Sequence, residues 1–197
     1  MPPPRCRPAP TRRAALAVGA AVLAGGCTTL ESELSTRFLQ PRQDEIARPD
    51  ETGIAFEECW FTGADGTRRH GWFIPHPQAR GRTVIVCHGS AANLTWYFPY
   101  WELLHAAELN VFVWDYAGYG RSEGTPAIAT LLPDARRAVE SVAARADVDG
   151  RRIGVLGISL GTIVALHLAA HDPRIACAAV EDVASPRANV AAALQRQ

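Results

Sequence analysis

Apolar and polar positions around residue 60 follow the pattern of a β-hairpin. Residues 54–62 and 69–74 are rich in β-branched and aromatic side chains, and a GADG turn at 63–66 separates them. This pattern predicts two antiparallel strands at the start of a folded domain.

From residue 83 onward the pattern changes to an alternation of strands and helices. Continuous apolar runs, typical of strands covered on both faces, lie at 83–87, 111–114, 153–158 and 175–180. Helical patterns separate them at 93–108, 125–146 and 160–171. The alternation predicts an α/β fold whose sheet is parallel in its later part.

The first 26 residues have the composition of an export signal. Arginines precede an apolar run at 14–24, and small residues precede Cys27. The run is too short to cross a bilayer, which takes about 20 apolar residues. The sequence LAGGC at 23–27 resembles a bacterial lipobox, which implies a lipid on Cys27 and an exported protein anchored to a membrane. An ordinary cleaved signal, an uncleaved anchor and a twin-arginine signal are the alternatives.

Three regions follow from this organisation. Residues 1–26 form the signal, residues 27–51 are polar and contain prolines like a tether, and residues 52–197 form the domain. Cys59, Cys87 and Cys177 remain after processing and show no paired spacing, so neither a metal site nor a disulfide framework is indicated.

Composition and charge narrow the classes of partner. With 48% hydrophobic and 20% charged residues, the chain has the balance of a globular protein. Without residues 1–26, 16 arginines face 20 acidic residues, a formal net charge of −4. This charge argues against a nucleic-acid partner, which favours a basic surface.

The strongest chemical signal is the sequence GISLG at 157–161, centred on Ser159. It falls between a predicted strand and a predicted helix, where a G-x-S-x-G turn exposes a serine hydroxyl above the sheet. Glycines are expected on both sides because side chains there would collide with neighbouring backbone. The structural alternative is a glycine-rich turn with an unreactive serine.

A second signal, HGSAAN at 88–93, directly follows the strand at 83–87. Together with Ser159, it resembles the α/β-hydrolase superfamily, in particular its serine-aminopeptidase-like and Bem46-like branch. The resemblance implies a hydrolase that attacks an ester, thioester or amide through Ser159 and needs no cofactor. It also implies an oxyanion hole formed by the backbone N–H groups of Ser90 and Leu160, with Ala91 as the adjacent alternative to Ser90.

The sequence DYAGYGRSEG at 115–124 is similar to a loop that follows the next strand in the same family, where its role is structural. It also bears on a rival interpretation, a nucleotide-binding domain. Such a domain would place G-x-G-x-x-G after the first strand of its βαβ unit, and the glycines here have another spacing and position.

Five aromatic residues lie just beyond the HGSAAN sequence. They either line a pocket beside Ser159 or, as we favour, pack the first helix of the alternating region against the sheet: Trp96, Tyr97, Phe98, Tyr100 and Trp101.

The remaining members of a catalytic triad are not evident. In this family an Asp or Glu and then a His follow the serine, and Glu181 is the candidate acid, with a loop-end carboxylate as the alternative. His167 and His171 lie on the helix that follows Ser159, and His167 is roughly 12 Å along its axis, too far to act as the base. The general base is therefore unknown.

We accordingly expect an incomplete α/β-hydrolase domain, without its C-terminal strands, cap and triad histidine. Three hypotheses follow: an exported serine hydrolase whose given sequence is truncated, a non-catalytic hydrolase-like binding module, and a nucleotide-binding domain. The substrate cannot be derived from the sequence, since specificity in this fold lies largely in the cap and loops.

Overall fold

The computed structural model describes residues 31–181. The signal segment and the lipidation candidate Cys27 lie outside the described residues, so the export prediction stays a prediction.

The first described elements precede the main sheet. Residues 31–38 are helical, β1 is the short strand Gln40–Pro41, and a 3₁₀ turn spans Pro49–Thr52. Residues 31–51 were assigned to a polar tether, but they contact the domain: Leu39 is buried, and β1 pairs in parallel with β5, Ala91–Ala92. Backbone pairing and one buried leucine hold a segment whose overall composition is that of a linker.

The hairpin and the alternating strands predicted from the sequence are confirmed. The strands of the main sheet are β2 Glu57–Thr62, β3 Arg68–Ile74, β4 Thr83–Cys87, β6 Asn110–Trp114, β7 Ile153–Ile158 and β8 Ile175–Glu181. They form one sheet in the order β2-β3-β6-β4-β7-β8. The pairs β2–β3 and β3–β6 are antiparallel, and β6, β4, β7 and β8 are parallel.

Three helices connect these strands. They are α1 Phe98–Ala106, preceded by a 3₁₀ turn at Leu94–Tyr97, then α2 Ile128–Ala143 and α3 Gly161–His171. Each lies inside the range predicted for it, because fraying ends and caps shorten a helix relative to its apolar pattern.

The alternation of side chains along the central strands builds two apolar layers. In β4, Ile85 and Cys87 face the layer formed with α2 and α3, whereas Val86 faces the layer formed with α1. In β6, Phe112 and Trp114 face the first layer and Val113 the second. β4 and β6 are therefore covered on both faces, as their continuous apolar runs predict. The same prediction is wrong for β8, in which residues 176–181 are exposed because β8 is the outer strand of the described sheet.

The parallel strands bring their carboxyl ends to one edge of the sheet. His88 follows β4, Asp115 follows β6, Ser159 follows β7, and Glu181 ends β8. In open α/β sheets this edge is where ligands bind. Segments far apart in the chain thus meet at a single candidate site.

Candidate active site

Ser159 occupies a sharp turn between β7 and α3. Its φ of 52° lies in the left-handed region, which is rare for residues other than glycine. Holding a serine there costs on the order of 1–3 kcal/mol and persists only where the surrounding structure imposes it. The turn has the geometry expected of a nucleophile-bearing serine in this fold.

Glycines on both sides of Ser159 make this turn sterically feasible. A Cβ on Gly161 would overlap the carbonyl oxygen of Cys87, and a Cβ on Gly157 would overlap the carbonyl oxygen of Gly161. The start of α3 therefore packs directly on the end of β4. This close approach is the physical reason for the glycine spacing in the sequence.

The loop that follows β4 lies against Ser159. A Cβ built on Gly89 would stand 3.4 Å from the Ser159 Cβ and 2.7 Å from the Tyr97 hydroxyl oxygen. The Gly89 N–H donates to that hydroxyl at 2.9 Å. Two sequence signals that are 70 residues apart are thus adjacent in space.

Hydrogen bonds fix the carbonyl of Ser90, one of the two predicted oxyanion-hole residues. This oxygen accepts the backbone N–H of Gln40 at 2.8 Å and the Tyr119 hydroxyl at 2.7 Å. Ala92, two residues on, has a φ of 74°. The loop is therefore held in a strained shape by the β1 segment and by the loop that follows β6.

Leu160, the other predicted oxyanion-hole residue, caps the N-terminus of α3. Backbone N–H groups at a helix N-terminus lack partners within the helix and carry the positive end of its dipole. The carbonyl of Ser159 accepts both the backbone N–H and the hydroxyl of Thr162, at 3.0 and 2.7 Å. The N-terminus of α3 is thereby fixed next to Ser159.

Glu181, the candidate acid, also lies beside Ser159. The Ser159 N–H donates to the Glu181 carbonyl oxygen at 3.0 Å, and the Glu181 side chain accepts the Tyr100 hydroxyl at 2.9 Å. Its carboxylate is exposed at the end of β8. Its role as the acid stays a prediction.

The histidines of residues 31–181 have other partners. His76 and His105 contact each other at 4.7 Å between ring centroids, and His167 stacks on His171 at 4.4 Å. The His167 Nε2 atom is also 3.2 Å from Arg136 Nη2. His70 packs beside Trp60, and burial lowers the pKa of its ring. Within this range, no histidine ring is hydrogen-bonded to Ser159, so the general base stays unidentified there.

The aromatic residues beyond the loop divide between core and site. Trp101 is buried against Trp72, at 6.5 Å between ring centroids, as packing of the helix requires. Tyr97 is half-buried and reaches Gly89, and burial raises the pKa of its hydroxyl. Sequence reasoning missed this contact, because nothing in the pattern distinguishes Tyr97 from its aromatic neighbours.

The loop after β6 has the structural role expected of it. Asp115 is buried, its Oδ1 accepts the Leu94 N–H at 2.7 Å, and its carbonyl accepts the Ser122 hydroxyl at 2.8 Å. The Tyr116 hydroxyl donates to the His88 carbonyl oxygen at 2.8 Å and the Tyr119 hydroxyl to the Ser90 carbonyl oxygen at 2.7 Å, and burial raises the pKa values of both hydroxyls. The loop thus supports the base of the site.

Two negative findings apply to the described part of the chain. Within residues 31–181, no group of three or more His, Cys, Asp or Glu side chains is arranged to hold a metal ion. In the same range, no helix combines the length and apolar character that a membrane crossing needs.

Comparison with known proteins identifies the family. Residues 78–194 match the family described as serine aminopeptidase, S33, and the chain therefore belongs to this family of the α/β-hydrolase superfamily.

Three similar proteins illustrate the extent of the match. YfhR of Salmonella typhimurium is 44% identical over 109 residues, which cover 53% of this chain and 37% of YfhR. The Mycobacterium tuberculosis protein MT2364 is 33% identical over 170 residues, 86% of this chain and 59% of that protein. The Pyrococcus furiosus esterase Pf2001 superposes with a TM-score of 0.62 over 72% of this chain and 54% of that one, at 23% identity. The chain spans about half the length of the proteins that it matches.

Proposed function

We propose that the chain carries the nucleophile and oxyanion hole of a serine hydrolase acting on a carboxylic ester, thioester or amide. The observation that carries the proposal is the strained turn at Ser159, packed against the HGSAAN loop at the carboxyl edge of the parallel sheet. Membership of a hydrolase family supports the reaction class. The Pyrococcus protein of the same fold is named an esterase, which favours an ester among the three bonds.

The proposed reaction proceeds in two steps. The Ser159 hydroxyl attacks the carbonyl carbon and gives its proton to a general base, and the leaving group departs with a proton as an acyl-enzyme forms. Water then attacks the acyl-enzyme, which releases the acid and restores the serine hydroxyl. In both tetrahedral intermediates the negative oxygen would accept hydrogen bonds from the backbone N–H groups of Ser90 and Leu160.

Preorganisation of these donors is the physical basis of catalysis in this scheme. The HGSAAN loop and the N-terminus of α3 are each fixed by backbone hydrogen bonds before substrate arrives. Donors that need no reorganisation stabilise developing charge more than water does, and losing one typically costs about 10²–10³ in rate.

Labelling with a fluorophosphonate probe tests the nucleophile. The purified chain should be labelled, Ser159→Ala should lose labelling completely, and Ser32→Ala, at an exposed serine outside the site, should keep it. Circular dichroism of all three proteins checks folding. A folded chain that resists the probe would contradict a reactive Ser159 in this chain and favour either a hydrolase sequence that lacks its general base or a non-catalytic hydrolase-like module.

We also propose that the protein is exported and anchored through a lipid on Cys27. The LAGGC sequence at 23–27 motivates this proposal. Cells expressing the protein with radiolabelled palmitate should incorporate label into it, whereas Cys27→Ser should abolish incorporation and Cys6→Ser should leave it unchanged. If Cys27→Ser incorporates as much palmitate as the original protein, the proposed lipid anchor on Cys27 is overturned.

A further inference from the structure

We propose that His88 carries a proton on both ring nitrogens and acts as a positioning residue. Its ring fixes the orientation of the Ser90 N–H, which would donate to the substrate oxyanion. The inference about oxyanion binding rests on the proposed function, whereas the charge on the ring can be tested without it.

The first observation is that the His88 ring lies between two oxygens. Its Nδ1 is 2.8 Å from the carbonyl oxygen of Gly89, and its Nε2 is 3.3 Å from the Asp115 Oδ1. A carbonyl oxygen and a carboxylate can only accept hydrogen bonds. A neutral ring would bring one nitrogen lone pair against an oxygen, whereas an imidazolium donates from Nδ1 and places its positive charge 3.3 Å from the carboxylate at Nε2.

The second observation is that this arrangement is sealed from water. His88 is 0% exposed and Asp115 is 1% exposed, and Nε2 has no aligned hydrogen-bond partner in the described structure. Asp115 Oδ1 already accepts the Leu94 N–H at 2.7 Å. A buried carboxylate needs a compensating positive charge, and the imidazolium supplies it at ion-pair distance.

The third observation is the aromatic surroundings of the ring. Ring centroids of Tyr116, Tyr119 and Tyr97 lie 4.2, 5.3 and 5.5 Å from that of His88. Faces of aromatic rings attract cations within about 6 Å. Among the described contacts of the ring, these three tyrosines and Asp115 carry ionisable groups. The tyrosines are neutral at pH 6 to 8, since the pKa of a tyrosine is ordinarily about 10 and burial raises it further here.

The consequence for the oxyanion hole follows from peptide geometry. No cis peptide is present in the described chain, and in a trans peptide the C=O and N–H point in opposite directions. Anchoring the Gly89 carbonyl on the buried His88 ring therefore turns the Ser90 N–H away from the core. A charged donor on the carbonyl also polarises the peptide and strengthens that N–H as a donor.

The decisive experiment is long-range ¹H–¹⁵N NMR of the uniformly labelled chain, with the His88 ring assigned through its backbone. We expect both ring nitrogens to show the protonated, imidazolium signature throughout pH 6 to 8. A single protonated nitrogen on His88 throughout this range would overturn the proposal, whether or not Ser159 reacts.

A second arm tests positioning. Asp115→Asn removes the compensating charge, so we expect His88 to become neutral and fluorophosphonate labelling of Ser159 to slow by about 10-fold or more, in line with a weakened oxyanion donor. Unchanged His88 signals in a folded Asp115→Asn variant would contradict the ion pair. If the unmodified chain is not labelled, only the proposed function is contradicted, because the NMR signature of His88 does not depend on the reactivity of Ser159.

Discussion

Gly161 shows how one residue without a side chain sets the geometry of the site. Its Cα faces the end of β4, and an added Cβ would overlap the Cys87 carbonyl oxygen, which is backbone and cannot rotate away. Adding a methyl group would therefore force β4 and α3 apart. Because Leu160 and Ser159 directly precede Gly161, the displacement would reach the proposed nucleophile.

We expect Gly161→Ala to destabilise the fold by about 3 kcal/mol or more, at the upper end of single substitutions, and to abolish labelling of Ser159. Gly150→Ala is the matched control, because nothing lies within 4 Å of the added Cβ. Thermal unfolding of both variants measures the difference. Equal melting temperatures for the two variants would show that β4 and α3 can move apart without cost.

At the scale of elements, the HGSAAN loop depends on the segment that precedes the domain. Asn93 is buried, and its Nδ2 donates to the carbonyl oxygens of Arg42 and Asp44 at 3.1 and 2.7 Å. Its Oδ1 accepts the Thr95 N–H and caps the 3₁₀ turn that leads into α1. One side chain therefore joins β1, the loop and α1.

We expect Asn93→Ala to lower the free energy of unfolding by about 1–3 kcal/mol, because it removes the hydrogen bonds of a buried side chain to the Arg42 and Asp44 carbonyls and to Thr95. Asn93→Asp keeps the acceptor for Thr95 but loses the donors, so it should be at least as unstable. Urea denaturation measures stability, and hydrogen exchange of the Gln40 and Arg42 amides reports release of the segment. If Asn93→Asp is as stable as the unmodified chain, the hydrogen bond that Oδ1 accepts from Thr95 stabilises the fold, and the hydrogen bonds that Nδ2 donates do not.

At the scale of the whole molecule, bidentate ion pairs fix the shape of two segments that connect helices to strands. Arg174 donates twice to Asp172 between α3 and β8, and Arg145 donates twice to Asp147 between α2 and β7. These hydrogen bonds from arginine lower the pKa values of Asp172 and Asp147, although partial burial opposes the shift. Both aspartates thus bind protons less readily in the folded state than in the unfolded chain.

The sign of the pH dependence follows from this difference. Both pairs contribute fully above the unfolded aspartate pKa of about 3.9, and their contribution is lost as pH falls through the lower folded pKa. We expect the urea midpoint to decline as pH falls below about 6.5, because buried His70 resists protonation, and to decline further below about pH 4 as the two aspartates bind protons. Asp172→Asn should flatten part of the decline below pH 4, because it removes one of the two carboxylates with a lowered pKa. A midpoint that rises on acidification would contradict this assignment.

Local sequence was sufficient to predict much of the fold. The hairpin, the four parallel strands and the position of Ser159 between a strand and a helix were all predicted, because side-chain periodicity and glycine spacing act over a few residues. The family resemblance added the pairing of Ser159 with the loop after His88. The tether assigned to residues 27–51 differs from the structure over its described part, since a composition typical of linkers does not exclude docking by backbone hydrogen bonds.

Tertiary structure alone decided which of these residues meet. The order β6-β4-β7-β8 brings Asp115 beside His88 and Glu181 beside Ser159, and the fold of the connection after β4 places the Tyr97 hydroxyl on Gly89. Neither spacing nor composition encodes such contacts, because they depend on how the strands are ordered and on which faces the helices cover. The sequence determined the chemistry available at the ends of the strands, and the packing of the parallel sheet determined which groups act on one another there.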